Sequence, residues 1–222
     1  MIDSTAGSAP LNVRRIDRLN RSEVNMLNAR KVDPDRAMVL IIDLQTKLLP
    51  QIDGATDVLV ASGQLIHGMS IFGLPMLATE QYPDGIGHTH DYIGRMFKQY
   101  EIPMLEKMAF STCCEPSVKD RINEIDRPQV VVVGIEAHVC VLQSTLDLLA
   151  MGCDVYVCAD AVGSRRRLDY EQGLSRMKQE GAVITTVEAV LFETCHRSGT
   201  EQFKRLLPVI KDPALGAETP SV

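Results

Sequence analysis

No stretch of this chain is apolar for long enough to span a membrane. The N-terminus also lacks the apolar core of a secretory signal. It carries Arg14, Arg15, Arg18, Arg21 and Arg30, which gives it the look of a transit peptide. Asp3, Asp17 and Glu23 argue against that, because such peptides are poor in acids. Residues 1–35 therefore read as an arm packed on a partner. A cytoplasmic location is expected, with a mitochondrial one left open.

A basic excess is missing too. The formal net charge is −6, whereas nucleic-acid binders present a basic face. The one dense basic cluster, Arg165-Arg166-Arg167, is expected in a loop. It reads as a solvated surface, or as a contact for a small anion or a neighbouring subunit. Neither nucleic acid nor membrane is an expected partner. The six cysteines form no C-x-x-C pair and no zinc-like spacing. Cys153 and Cys158 flank or sit in a strand-like run and read as small hydrophobes. A reducing compartment fits this pattern better than a disulfide framework. Internal repeats and low-complexity tracts are absent as well.

The 222 residues are 45% apolar and 23% charged, enough for one substantial core. Two apolar runs stand out, Met38-Val39-Leu40-Ile41-Ile42 and Val130-Val131-Val132-Val133. Neither alternates, as befits strands of a parallel sheet covered on both faces. Further strands are expected over 75–79, 154–158 and 183–187. Helices are expected over 57–72, 115–125, 138–151, 168–179 and 201–210, with a Gly- and His-rich loop over 83–90. Alternating strands and helices predict a three-layer α/β/α sandwich, Rossmann-like, with a mainly parallel central sheet. It is expected to fill residues 36–211, with residues 212–222 as a flexible tail.

Three residues carry the chemistry. Asp43 follows the first apolar run, Cys140 follows the second, and Lys107 lies between them in sequence. Open parallel sheets gather reactive groups beyond the carboxyl ends of their strands. A carboxylate there is costly unless paired or used. A thiol near a helix start, with a cation beside it, is expected to have a lowered pKa. Asp43 then reads as a general base, Cys140 as a nucleophile and Lys107 as the stabilising cation. Phe110 reads equally as a pocket wall or as plain core.

The ordered motifs Ile-Ile-Asp-Leu-Gln, Lys-Met-Ala-Phe-Ser and Gly-Ile-Glu-Ala-His-Val-Cys resemble the isochorismatase-like hydrolases. Leu77-Ala78-Thr79-Glu80-Gln81-Tyr82-Pro83 points to the isochorismatase-domain-containing subgroup. The resemblance implies a cis Ile135–Glu136 peptide. It also implies an oxyanion hole made by the backbone N–H groups of Glu136 and Cys140. It implies a substrate pocket involving Gln45, Tyr82, Phe110 and Ile135, and a small-molecule substrate whose carbonyl C–N bond is cleaved through a Cys140 thioester. Glu80-Gln81-Tyr82 replaces the Asp-x-His metal motif of the family's nicotinamidases, so no metal and no cofactor are expected. A homo-oligomer is expected. Two alternatives stay open: a weakly active or non-catalytic protein that works through assembly, and a counterpart of homologues labelled ribonucleases.

Overall fold

The computed structural model describes residues 31–212 and Pro220. The chain divides into Met1–Lys31 and Val32–Val222. The expected arm, up to residue 30, and most of the expected tail lie outside the described residues.

Six strands form one parallel sheet in the order β3-β2-β1-β4-β5-β6. They are β1 (Ala37–Ile42), β2 (Met76–Gln81), β3 (Met104–Lys107), β4 (Gln129–Ile135), β5 (Asp154–Gly163) and β6 (Val183–Thr185). Strand β1 pairs with β2 on one side and β4 on the other, Ile42 lying opposite both Thr79 and Gly134. The sheet thus grows one way from β1 and the other way from β4. Crossovers of a single hand then send the helices of the two halves to opposite faces. The crevice between β1 and β4 is the topological switch point, where such sheets hold their ligands.

The period-two geometry of the strands sorts their side chains into two cores. Ala37, Val39, Ile41, Val131, Val133 and Tyr156 pack with α1 (Ala55–Ile71), α3 (Asp91–Gln99), α7 (Val187–Cys195) and α8 (Glu201–Lys211). Met38, Leu40, Ile42, Val130, Val132 and Val157 face the other way. They meet α4 (Pro116–Ile125), α5 (Cys140–Ala150) and α6 (Arg167–Gln179). A four-residue helix α2 (Pro83–Ile86) lies between β2 and α3. The two unbroken apolar runs of the sequence are therefore the two central strands, buried along their whole length.

Several elements depart from expectation. Strand β3 had no apolar run to mark it, because it is an edge strand with Met104 and Glu106 exposed. Helix α3 was hidden by Gly94 and by the polar loop before it, although Tyr92, Ile93, Met96 and Phe97 are its buried face. The run over 183–187 is strand only to Thr185. Thr186 then caps α7, its hydroxyl accepting from the Ala189 N–H at 3.4 Å. Strand β5 extends past Cys158 to Gly163, with a register shift against β4 between Val132 and Gly134. Among the described residues, no helix is long and apolar enough to cross a membrane.

Candidate active site

Strand β1 ends at Ile42, and Asp43 turns the chain in the left-handed region with φ 53°. Its carboxylate sits just beyond the carboxyl end of the strand and is fully buried. Both oxygens are engaged. Thr79 on β2 donates its hydroxyl to Oδ1 at 2.7 Å, and Lys107 donates Nζ to Oδ2 at 2.7 Å. Lys107 ends the edge strand β3 and reaches inward, so its ammonium is also completely buried. A buried lysine keeps its charge only where acceptors replace water. Here Gln81 Oε1 accepts at 2.6 Å, and the carbonyls of Ala109 and Phe110 lie at 3.3 Å.

Cys140 begins helix α5, beyond the carboxyl end of β4. Gly134, opposite Ile42, makes the approach possible. It has φ 121°, and a Cβ there would sit 2.0 Å from the Ile42 carbonyl oxygen. The Ile135–Glu136 peptide is cis. Among the described residues, neither the Glu136 N–H nor the Cys140 N–H donates to a protein acceptor. The Cys140 thiol lies close enough to Asp43 and Lys107 for both charges to act on it. The structure thus brings Asp43, Lys107 and Cys140 together from three strand ends.

The electrostatics correct one expectation. Burial, and then the Asp43 carboxylate, push the Cys140 thiol up to about 12, with Lys107 pulling the other way. The resting thiol is neutral rather than a thiolate. Burial also raises Asp43, opposed by Lys107, Thr79 and Cys140. The helix start and the cation do not overcome burial. Nor is a raised thiol distinctive, since burial pushes Cys113 to about 11 and Cys158 well up. What sets Cys140 apart is an acid and an amine at its side.

Gln45 does not line an open pocket. It is fully buried, and its amide clamps the end of β2: Oε1 accepts the Gln81 N–H at 2.7 Å and Nε2 donates to the Gln81 carbonyl at 2.9 Å. Nε2 also donates to the Gly87 carbonyl at 2.6 Å. Ile135 is buried within β4. Tyr82 and Phe110 are about half exposed, at 47% and 55%. Both follow residues that hold the buried amine. Thr79 and Gln81 had not been singled out as members of the site. A run of Thr-Glu-Gln closing an otherwise buried strand was their signal, since polar groups there need partners.

Glu80, also buried, is spent on the neighbouring loop. Its Oε1 accepts from the Thr89 N–H at 2.5 Å and the Thr89 hydroxyl at 2.7 Å, and Oε2 lies 3.1 Å from His88 Nδ1. Among the described residues, no group of three or more His, Cys, Asp or Glu side chains is placed to hold a metal ion. The arginine cluster is not a free basic patch. Arg165 pairs with Glu136 at 2.9 Å, Arg166 with Asp169 at 2.7 Å and Arg167 with Glu171 at 2.7 Å. Arg167 is the first residue of α6, so the cluster only begins in a loop.

A six-stranded parallel sheet covered by helices on both faces defines the class of fold, and the comparisons give the family within it. A family model described as the isochorismatase domain matches residues 37–189. Isochorismatase family protein 1B of Dictyostelium discoideum is 34% identical over 183 residues, which is 82% of this chain and 89% of that protein. Isochorismatase domain-containing protein 2A of Mus musculus is 30% identical over 184 residues, 82% of this chain and 86% of that one. The solved structure of MAR1 ribonuclease from Caenorhabditis elegans matches with a TM-score of 0.75 and 34% identity, covering 86% of this chain and 95% of that one. The chain belongs to the isochorismatase-like hydrolase family.

Proposed function

We propose that this hydrolase cleaves a small-molecule carbonyl C–N bond through a thioester on Cys140. The observation that carries this reading is the buried Asp43–Lys107 pair at the strand ends, whose two charges both act on the Cys140 thiol. A thiol raised to about 12 needs a base at the moment of attack. Asp43 takes the proton from Sγ as the S–C bond forms. The carbonyl oxygen gathers negative charge and is received by the N–H groups of Glu136 and Cys140. The C–N bond then breaks, and Asp43 returns the proton to the leaving nitrogen. Water attacks the thioester, Asp43 takes its proton, and the departing sulfur recovers that proton. Lys107 offsets the charge passing between Asp43 and Cys140. Tyr82 and Phe110 form the outer wall for the substrate.

The name ribonuclease carried by the Caenorhabditis elegans relative raises a second reading, cleavage of RNA. The paired arginines and the net charge of −6 give a polyanion little to hold. The test is a panel of amides, ureides and carbamates, with RNA alongside, offered to wild type and to Cys140→Ala. Turnover of a small amide that disappears in Cys140→Ala supports the proposal. Equal rates in the two proteins overturn the thioester. RNA cleavage lost in Cys140→Ala, with no small amide turned over, moves the site to the second reading.

The exposed apolar side chains Tyr82, Met108 and Phe110, close together in sequence and strand position, also lead us to propose that copies of this chain associate.

A further inference from the structure

Among the described residues, Lys107 Nζ has four oxygen neighbours, and it has only three protons to give. Two of the oxygens, Asp43 Oδ2 and Gln81 Oε1, lie at 2.7 and 2.6 Å. The other two, the carbonyls of Ala109 and Phe110, lie at 3.3 Å. A neutral amine would turn a lone pair toward one of these oxygens. The cage therefore fixes the direction in which the Lys107 protons point. Among the described residues, Gln81 Oε1 is the shortest of these oxygen contacts and the one that comes from a neutral side chain.

Gln81 is itself held at both backbone groups and at both ends of its side-chain amide. Its Nε2 donates to the Met108 carbonyl at 2.8 Å, which settles which end of the amide faces Lys107. Its backbone N–H and C=O are both taken by the Gln45 amide, at 2.7 and 2.9 Å. Gln45 thus acts as one extra rung of sheet beyond the end of β2. Gln81 is 7% exposed and Gln45 fully buried, so water does not compete strongly for these bonds.

We propose that Gln81, clamped by Gln45, is a positioning residue that holds the Lys107 ammonium between Asp43 and the Cys140 thiol, and so sets how readily the thiol gives up its proton. This rests on the function proposed above. Gln81 does not touch the thiol. It acts through Lys107, whose cation lowers the cost of charge on sulfur. Without the Gln81 oxygen, Nζ is free to turn toward the backbone carbonyls and away from the thiol.

The experiment is the pH profile of Cys140 alkylation by iodoacetamide, read at each cysteine by peptide mass spectrometry on the full-length chain. Wild type is compared with Gln81→Leu, Gln81→Met, Lys107→Ala and Asp43→Asn. Gln64→Leu serves as a control, because Gln64 is equally buried and donates to the Val209 carbonyl at 3.1 Å, in an unrelated part of the core. Thermal melts check that each variant folds. If Gln81→Leu does not fold, Gln81→Met carries the test, since it keeps the side chain's length but offers Nζ no oxygen and adds no charge.

The expected result is an upward displacement of the Cys140 profile by about one pH unit in both Gln81 variants, which is roughly tenfold slower labelling below the midpoint. Gln64→Leu loses stability without moving the profile. A purely structural role for Gln81 predicts the same for Gln81→Leu, and superimposed profiles would overturn the inference alone. A wild-type profile that also ignores Lys107→Ala and Asp43→Asn would overturn this inference and the proposed function together.

Discussion

At the scale of single residues, the account turns on the cost of burying charge. Asp43 and Lys107 form an ion pair with no solvent on either side chain. Removing one partner from such a pair leaves the other uncompensated, at a cost of about 3–5 kcal/mol. Lys107→Ala is therefore expected to lower stability by that order in a denaturant titration and to push the Cys140 thiol higher still. Asp43→Asn is expected to abolish most turnover while keeping a hydrogen-bonding group in place. Burial pushes Asp43 up from 3.8. A base must be ionised to act, and protonation of a raised carboxylate begins at a higher pH. The acid limb of kcat/KM should thus fall above the range of a free aspartate, and a limb at or below 3.8 would contradict Asp43 as the base. The raised thiol has a further consequence. Cys114 is exposed while Cys140 is 7% exposed and lifted to about 12, so simple alkylation should reach Cys114 first. The rank order of labelling therefore does not separate an active site from an inert one. Dependence on Asp43 and Lys107 does.

At the scale of elements, the end of β4 is the point of least tolerance. Gly134→Ala would drive a Cβ to 2.0 Å from the Ile42 oxygen, between the two central strands. The expected loss is at least about 4 kcal/mol, seen as a collapse of the denaturation midpoint. The loop after β2 depends on Glu80. Burial alone would raise that carboxyl, but the hydrogen bonds from Thr89 and His88 outweigh it and bring it below 4.5. A depressed folded pKa adds stability above the unfolded value and loses it as pH falls through the folded one. The melting temperatures of wild type and Glu80→Gln should accordingly differ near pH 7 and converge as pH drops below about 4. A constant gap would show that the carboxylate charge contributes nothing.

The same elements explain what the sequence could and could not disclose. Strands β1 and β4 were legible because both faces are covered, leaving unbroken apolar runs that end at the reactive positions. Asp43 was placed by that alone, and Cys140 by that together with the family motif around it. Lys107 was harder, since an edge strand with exposed side chains has no periodic mark, and a motif rather than a pattern pointed to it. The raised thiol was not legible at all. Burial is a property of the packed site, and it reverses what a helix start and a nearby cation would suggest. Gln45 was read as a pocket wall because only the folded β2 end reveals what its amide holds.

At the scale of the molecule, a parallel sheet that changes direction between β1 and β4 makes one crevice, and the fold leads three strand ends to it. Tyr82, Met108 and Phe110 stay exposed beside the amine. If copies associate over them, sedimentation should report more than one chain, and Met108→Lys should shift that mass downward. An unchanged monomer in both would remove the assembly reading. The most direct test of the central claim is the intact mass of the protein, acid-quenched during turnover of an amide identified in the substrate panel. The account predicts a mass gain equal to the acyl half of that substrate, mapped to Cys140, lost on treatment with hydroxylamine and absent from Cys140→Ala. Turnover without any acyl adduct in rapid-quench samples, undiminished in Cys140→Ala, would contradict it.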